Sequence, residues 1–151
     1  MGRPKAADHE GKRKAILEKS AELFATHGYD RTSVAMLARR CGMSKALFYH
    51  YYSEKSDVLF VIIRTHIEDL LTVTDGLAGR YGNDPQSDLL VMAEALLEAY
   101  RTADTKHHIQ INQLHLLSRN RQKTIKDMER QLVDRFSAAI APCIPEEAQS
   151  N

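Results

Sequence analysis

The stretch TSVAMLARRCGMSKALFYHYYSEKSDVL, from Thr32 to Leu59, decides the fold. Thr32 or Ser33 can cap a short helix, because Ser and Thr side chains accept hydrogen bonds from the first backbone N–H groups of a helix. A break with Gly42 at its centre follows, and Ser44 can then cap a second short helix. Two short helices joined by a tight glycine turn form a helix-turn-helix, whose second helix fits the major groove of DNA.

The second helix of this pair, predicted over Lys45–Tyr52, has two distinct faces. Helical periodicity turns either Leu47 or Phe48 inward, with Tyr51 or Tyr52 one turn later. The other side carries hydroxyl, ammonium and imidazole groups, which hydrogen-bond phosphate oxygens and base edges. The aromatic rings around His50 cannot all pack on one side of a helix, which favours a DNA-binding surface over a purely structural aromatic core. The residues that offer these groups are Ser44, Lys45, Tyr49, His50, Tyr51 and the following Lys55, and Ala46 lies on the same side.

Apolar residues recur at helical spacing along nearly the whole chain, and no run alternates strictly between apolar and polar residues. This pattern predicts an all-α protein without strands. A first helix begins near Lys12 and ends at Gly28, whose freedom to adopt positive φ commonly closes a helix. Further helices are predicted to begin near Ser53 or Glu54, at Pro85 with Asp84 as cap, at Asp104 or Thr105 and running to Leu117, and near Asn120 and running to Ala141.

Length and composition limit the classes of protein that this chain can be. Its 151 residues, 43% of them hydrophobic, suit one or two compact domains with a buried core. The apolar run Val58–Ile63 is too short to span a bilayer, so no membrane partner is expected. Cys41 and Cys143 show no metal-ligand spacing, so a disulfide scaffold and a zinc finger are not expected and a reducing cytoplasm is the natural compartment. No metal site and no cofactor are expected. We also find no nucleophile elbow, phosphate loop or carboxylate pair, so an enzyme is not expected.

The near-neutral net charge hides an asymmetry between the two parts of the chain. Residues 1–55 hold 11 Lys and Arg against 6 Asp and Glu, whereas residues 56–151 hold 10 against 14. A basic N-terminal third on an acidic remainder indicates a module that binds a polyanion, joined to something else. Within it, Arg3-Pro4-Lys5 and Lys12-Arg13-Lys14 are interpreted either as an arm on the DNA backbone or minor groove, or as a solubilising tail.

The stretch Thr32–Leu59 resembles the DNA-binding domain of TetR-family (tetracycline-repressor-like) transcriptional regulators. The preceding Ala21–Ala25 (AELFA) and Gly28-Tyr29 stand where that pattern expects them. The resemblance implies a three-helix DNA-binding head and a fourth helix that links it to a ligand-sensing body. It implies Tyr49 and Lys55 as phosphate contacts and Lys45 and Ala46 as base contacts. The positions that match the DNA contacts of the family are Ser33, Ser44, Lys45, Tyr49, His50, Tyr51 and Lys55.

Three positions depart from the family pattern. Leu47 stands where a Thr is common, Tyr52 replaces the usual Phe, and Ala35 occupies a position that holds a base-reading Arg in some members. These departures leave DNA binding as the expectation, but they mean that the operator sequence cannot be borrowed from a relative.

Polar residues on otherwise apolar faces of the later helices predict a pocket for a small effector. Mainly apolar pockets with a few convergent polar groups are typical ligand sites, although such histidines are commonly packed core residues instead. A metal is not expected, because the spacing of His108 and His115 places them ~10 Å apart along a helix. A weaker resemblance of 106–121 to regulators of aromatic-acid or acyl-CoA catabolism implies an effector of one of those classes. The candidate ligand-binding residues are His66, Met92, Tyr100, His108 and Asn112.

These predictions combine into four segments: a basic flexible arm over 1–11, a helix-turn-helix domain over 12–53, a partial effector-binding and dimerisation domain over 54–141, and a polar tail over 142–151. The chain is expected to lack the last helices of the family. The resulting hypothesis is a homodimeric repressor that a small effector releases from a pseudo-palindromic operator. The alternative is a helical protein-interaction module that has lost DNA binding.

Overall fold

A computed structural model describes residues 3–77, 79, 80 and 84–145, with the side chains of 3–6 left out. All regular secondary structure in this part of the chain is helical, which confirms the all-α prediction. Two short 3₁₀ segments, Leu114–Leu116 and Ala141–Cys143, follow the last two helices. The polar tail beyond 145 and residues 81–83 of the loop before Asp84 lie outside the described residues. The helices are α1 (Arg3–His27), α2 (Val34–Arg40), α3 (Lys45–Tyr51), α4 (Lys55–Thr74), α5 (Pro85–Thr102), α6 (Asp104–Gln113) and α7 (Arg119–Ile140).

Helix α1 is longer than the sequence pattern predicts. It begins at Arg3 rather than near Lys12, so the described part of the segment expected to be a flexible arm is helical. Ala7 has high helix propensity, and Lys12 forms an ion pair with Asp8 one turn earlier at 2.8 Å. No apolar stripe marks these first turns, which is why periodicity could not find them. The buried residues of the helix, such as Phe24, begin only at Ile16.

The helix-turn-helix forms with the caps and the break that the sequence predicts. The side chain of Ser33 accepts a hydrogen bond from the Met36 amide at 3.2 Å and caps α2. Thr32 is buried instead, and its hydroxyl donates to the Gly28 carbonyl at 2.7 Å. Ser44 caps α3 in the same way as Ser33 caps α2, and Gly42 adopts a φ of 68° in the turn between the two helices.

The described chain divides into two compact units. The first contains the residues up to Arg64 together with Thr105–Arg119, so α6 belongs to the unit that holds the helix-turn-helix. Two contacts attach α6 to α1. Gln113 donates from Nε2 to the carbonyl of Phe24 at 2.9 Å, and Lys106 pairs with Glu18 at 2.7 Å.

The second unit contains Thr65–Asp104 and the residues from Asn120 onward. Met92 and Ala139 are buried together in a hydrophobic cluster against which the ring of Phe136 packs. Asp84 caps α5, with Pro85 in its first turn, as predicted. Helix α6 ends earlier than expected and continues as a 3₁₀ turn rather than as α-helix to Leu117. None of the described helices is long and apolar enough to cross a membrane.

Candidate nucleic-acid interface

The two faces of α3 are now resolved. Phe48 is 0% exposed and Tyr52, just after the helix, is 4% exposed, and their ring centroids lie 6.2 Å apart. Leu47 is 43% exposed and Tyr49 is 46% exposed. Of the alternatives that periodicity left open, Phe48 and Tyr52 therefore anchor the helix in the core. Tyr51 is half-buried.

The opposite side of α3 is exposed and polar. We call this surface the α3 outer face, and it consists of Lys45, Ala46, Tyr49 and His50, all exposed to solvent. Its geometry follows from the burial of Phe48, because residues three or four positions apart share one side of a helix. The ammonium, phenol and imidazole groups are therefore presented together.

Two of the predicted contact residues hold helix ends as well as lying on the surface. The exposed hydroxyl oxygens of Ser33 and Ser44 accept hydrogen bonds from the amides of Met36 and Leu47 at 3.2 and 3.1 Å. A hydroxyl that accepts such a bond still carries a hydrogen that it can donate. Both side chains can therefore cap their helices and donate to a phosphate oxygen at the same time.

Lys55, a predicted phosphate contact, is held by Tyr29. Its Nζ donates to the Tyr29 carbonyl at 2.7 Å and lies 4.1 Å from the centroid of the Tyr29 ring. Lys55 is half-buried at the first residue of α4. An ammonium has three N–H donors, so this contact orients Lys55 and leaves donors for a second partner.

The first turns of α1 bring a further residue to α3. The imidazole of His9 lies 4.8 Å from the Tyr51 ring, centroid to centroid, with 31° between the planes. It also lies 6.2 Å from the His50 ring in an edge-to-face arrangement. The sequence pattern does not single out His9, because it lies before the predicted start of the first helix and the contact joins residues far apart in the chain.

Arg13, one turn after His9 on α1, lies over the ring of Tyr52. Its guanidinium lies 5.1 Å from the centroid of the Tyr52 ring. Burial raises the pKa of the Tyr52 hydroxyl, against the smaller opposing effect of the Arg13 charge. Tyr52 therefore stays neutral at physiological pH and serves as a packing residue.

The candidate effector residues fall into separate places. In the second unit, the rings of His66 and Tyr100 lie 6.1 Å apart, and His66 is buried. Burial raises the pKa of the Tyr100 hydroxyl, and the charge of Glu129 raises it further. In the first unit, His108 and Asn112 are exposed on α6, where the Asn112 amide donates to the His108 carbonyl at 2.8 Å.

Met92 lines a cavity of about 180 Å³ in the second unit, together with Thr74 and Arg135. Arg135 donates to the carbonyl of Leu71 and to Oγ1 of Thr74, the latter at 3.2 Å, and so holds the last turn of α4. Among the described residues, no group of three histidine, cysteine or carboxylate side chains is arranged to hold a metal ion.

Comparison with known proteins connects this architecture to one family. The family model described as "Bacterial regulatory proteins, tetR family" matches residues 16–62, which include α2, α3 and the start of α4. A TetR-family transcriptional regulator from Bordetella parapertussis has a similar solved structure, with a TM-score of 0.81 and 31% sequence identity. That match covers 92% of this chain and 72% of the other.

Two further relatives show how much of each chain the similarity covers. YuxN of Bacillus subtilis, described as an uncharacterized HTH-type transcriptional regulator, is 32% identical over 91 residues, or 58% of this chain. The chain spans 31% of the length of YuxN. The structure of AibR in complex with isovaleryl coenzyme A and operator DNA matches with a TM-score of 0.70 and 25% identity. It covers 87% of this chain and 71% of AibR. With this fold, helix-turn-helix and sequence likeness, the chain belongs to the TetR family of bacterial regulatory proteins.

Proposed function

We propose that this protein is a DNA-binding transcriptional regulator that acts as a homodimer on a pseudo-palindromic operator. The observation that carries the proposal is the α3 outer face, where Lys45, Tyr49 and His50 are exposed together opposite the buried Phe48. A dimer would place two copies of α3 in successive major grooves, about 34–36 Å apart.

Each exposed group has a role that suits its chemistry. Lys45 and Ala46, in the first turn of α3, are assigned to base edges, since the N-terminal residues of a recognition helix reach the bases. Tyr49 and Lys55 are assigned to phosphates, with Lys55 oriented by Tyr29. The hydroxyls of Ser33 and Ser44 and the side chains of His50 and Tyr51 complete the proposed contacts with the backbone.

The regulation we propose is release from the operator by a small effector. AibR, whose structure contains both isovaleryl coenzyme A and operator DNA, supports an acyl-CoA as one effector class, and an aromatic acid is the other. Within the second unit, His66, Tyr100 and Met92 are the proposed ligand contacts, and the exposed His108 and Asn112 on α6 remain candidates. The effector must bind one spacing of the two DNA-binding heads better than another, because only such a difference shifts the equilibrium.

Sequencing of genomic DNA recovered with the purified full chain would test the DNA-binding proposal. The recovered motif then serves as a labelled duplex for anisotropy titrations at two salt concentrations. Affinity is expected to fall steeply with salt, because each cation that contacts a phosphate releases counterions. The double variant Lys45→Ala, Tyr49→Ala is expected to weaken binding at least tenfold. Lys126→Ala, which removes an exposed cation from α7, is the matched control.

Each outcome bears on the proposal. Binding without salt dependence, or full affinity in the double variant, would contradict a DNA interface on α3. Tolerance of charge reversal at Lys45 and Lys55 would favour the protein-interaction module instead. Adding isovaleryl coenzyme A or benzoate to the preformed complex tests the two effector classes, and release by neither probe would contradict both.

A further inference from the structure

The contact between α1 and α3 extends the α3 outer face. His9 is exposed on α1, and its imidazole is tilted by only 31° against the ring of Tyr51 at 4.8 Å. The rings of Tyr51 and His50 lie 5.7 Å apart. We call His9, His50 and Tyr51 the ring cluster. It adjoins Tyr49 and Lys45, the residues assigned to DNA, and it contains one residue from outside the helix-turn-helix.

Stacking by His9 limits the positions open to the Tyr51 side chain. Offset and tilted contacts between aromatic rings are favourable beyond the area that they bury. A side chain held in its bound position before the partner arrives loses less conformational entropy on binding. The phenol hydroxyl of Tyr51 is thus placed in advance by a residue that lies 42 positions earlier in the chain.

The ring cluster also contains two imidazoles, those of His9 and His50. Histidine is the side chain whose ordinary titration falls between pH 5 and 8. The rings in contact with His9 are those of His50 and Tyr51 from α3, and its charged neighbours along α1 are Asp8, Glu10, Lys12 and Arg13. Asp8 is engaged by Lys12 at 2.8 Å, so its negative charge is largely compensated.

A phosphate backbone at this surface would change the charge state of the pair. The rings of His9 and His50 lie 6.2 Å apart, and two imidazolium ions at close range repel each other. A phosphodiester placed against them offsets this repulsion and favours the charged forms. Binding of DNA would then be accompanied by uptake of protons from solvent, and lower pH would favour the complex by linkage.

We propose that His9 is a positioning residue of the DNA interface, which stacks on Tyr51 and, with His50, takes up protons when the phosphate backbone of duplex DNA binds. This inference rests on the proposed function. It predicts that DNA affinity rises as pH falls from about 8 to about 6, by roughly three- to tenfold for each imidazole that approaches a phosphate.

Three variants separate stacking from charge. His9→Phe keeps a ring against Tyr51 but cannot be protonated, so it should retain the affinity of the wild type near pH 8 and lose part of the increase near pH 6. His9→Ala should lose both the stacking on Tyr51 and part of the gain in affinity near pH 6, and it should bind DNA about three- to tenfold more weakly than the wild type near pH 8. His27→Ala removes an exposed histidine from the last residue of α1 and should behave like the wild type.

Anisotropy titrations of the full-length variants with one labelled duplex, at constant ionic strength and a series of pH values, provide the test. A full pH response in His9→Phe, or wild-type affinity at every pH in His9→Ala, would overturn the inference. A flat pH profile in a wild-type protein that binds DNA would also overturn it and leave the proposed function standing. Failure of the wild type to bind any duplex would overturn both. Circular dichroism melts of each variant establish that the fold is retained.

Discussion

Gln113 offers a test of how α6 is attached to α1, because opposite substitutions should have opposite outcomes. Its amide nitrogen donates to the carbonyl of Phe24 at 2.9 Å, and the side chain is buried. Its Oε1 atom is also buried, with no hydrogen-bond partner among the described residues. The carbonyl of Phe24 is not left alone when Gln113 is removed, since the Gly28 amide also donates to it at 3.1 Å.

The magnitudes follow from these contacts. Gln113→Met keeps the length of the side chain, loses one hydrogen bond and removes the buried oxygen that lacks a partner. A typical hydrogen bond contributes about 0.5–1.5 kcal/mol net, and relief of an unsatisfied polar atom acts in the opposite direction. We therefore expect Gln113→Met to change the free energy of unfolding by less than about 1 kcal/mol. Gln113→Glu instead places a carboxylate beside the Phe24 carbonyl and should destabilise the fold by about 3 kcal/mol or more at neutral pH.

Urea denaturation of the full chain, followed by circular dichroism, measures both values. The loss in Gln113→Glu should shrink as pH falls, because burial raises the pKa of the introduced carboxyl and the folded state then prefers its protonated form. Gln131→Glu, an exposed position on α7, is the control and should have almost no effect. Equal stability of Gln113→Glu and the wild type near pH 7, or a loss clearly above about 1 kcal/mol in Gln113→Met, would refute the reasoning.

Four further substitutions test other contacts, three of them by the same denaturation assay and Lys55→Met by DNA titration. Gly42→Ala should lower the free energy of unfolding by about 1–2 kcal/mol, because φ is 68° there; no atom lies within 4 Å of an added Cβ, so the loss comes from the backbone and not from a clash. Gly11→Ala, inside α1, should raise the free energy of unfolding by about 0.5–1 kcal/mol. Equal effects at the two glycines would contradict this account. Lys55→Met should weaken DNA binding and lower the salt slope by about 0.9, and an unchanged slope would remove Lys55 from the phosphate contacts. Arg135→Leu removes the hydrogen bonds to the last turn of α4 and should lower the free energy of unfolding by about 1–3 kcal/mol. An unchanged free energy of unfolding would show that this turn does not need Arg135.

The parts of the fold that the sequence predicts correctly depend on neighbouring residues. Ser33 and Ser44 cap helices through bonds that reach three positions along the chain. Gly42 turns the backbone by its own conformational freedom. Such features can be read from a short window, because their physical causes lie within it.

The parts that could not be predicted depend on contacts between distant residues. Helical periodicity could not choose between Leu47 and Phe48, since adjacent residues differ by only 100° around the helix and the packing of other helices decides. Lys55 bonds to a carbonyl 26 positions earlier, and Gln113 to one 89 positions earlier. His9 reaches α3 from the first turns of α1, which begins nine residues before its predicted start near Lys12.

Not all of the cations in the basic N-terminal third are equally available to DNA. Lys12 and Arg40 pair with carboxylates, at 2.8 Å from Asp8 and 2.7 Å from Glu22. Both pairs are exposed, and exposed ion pairs contribute little free energy, so a phosphate can replace either carboxylate at small cost.

Lys55 differs from those two cations, because it is half-buried and held by both a carbonyl and an aromatic face. A phosphate oxygen can accept a further hydrogen bond from the Lys55 ammonium without displacing the carbonyl or the ring of Tyr29. Lys55 should therefore contribute to the salt slope without moving. Lys12 and Arg40 should contribute to the salt slope only when their ion pairs with Asp8 and Glu22 open. Variants in which Asp8 and Glu22 are replaced with neutral residues should therefore bind DNA more tightly in anisotropy titrations.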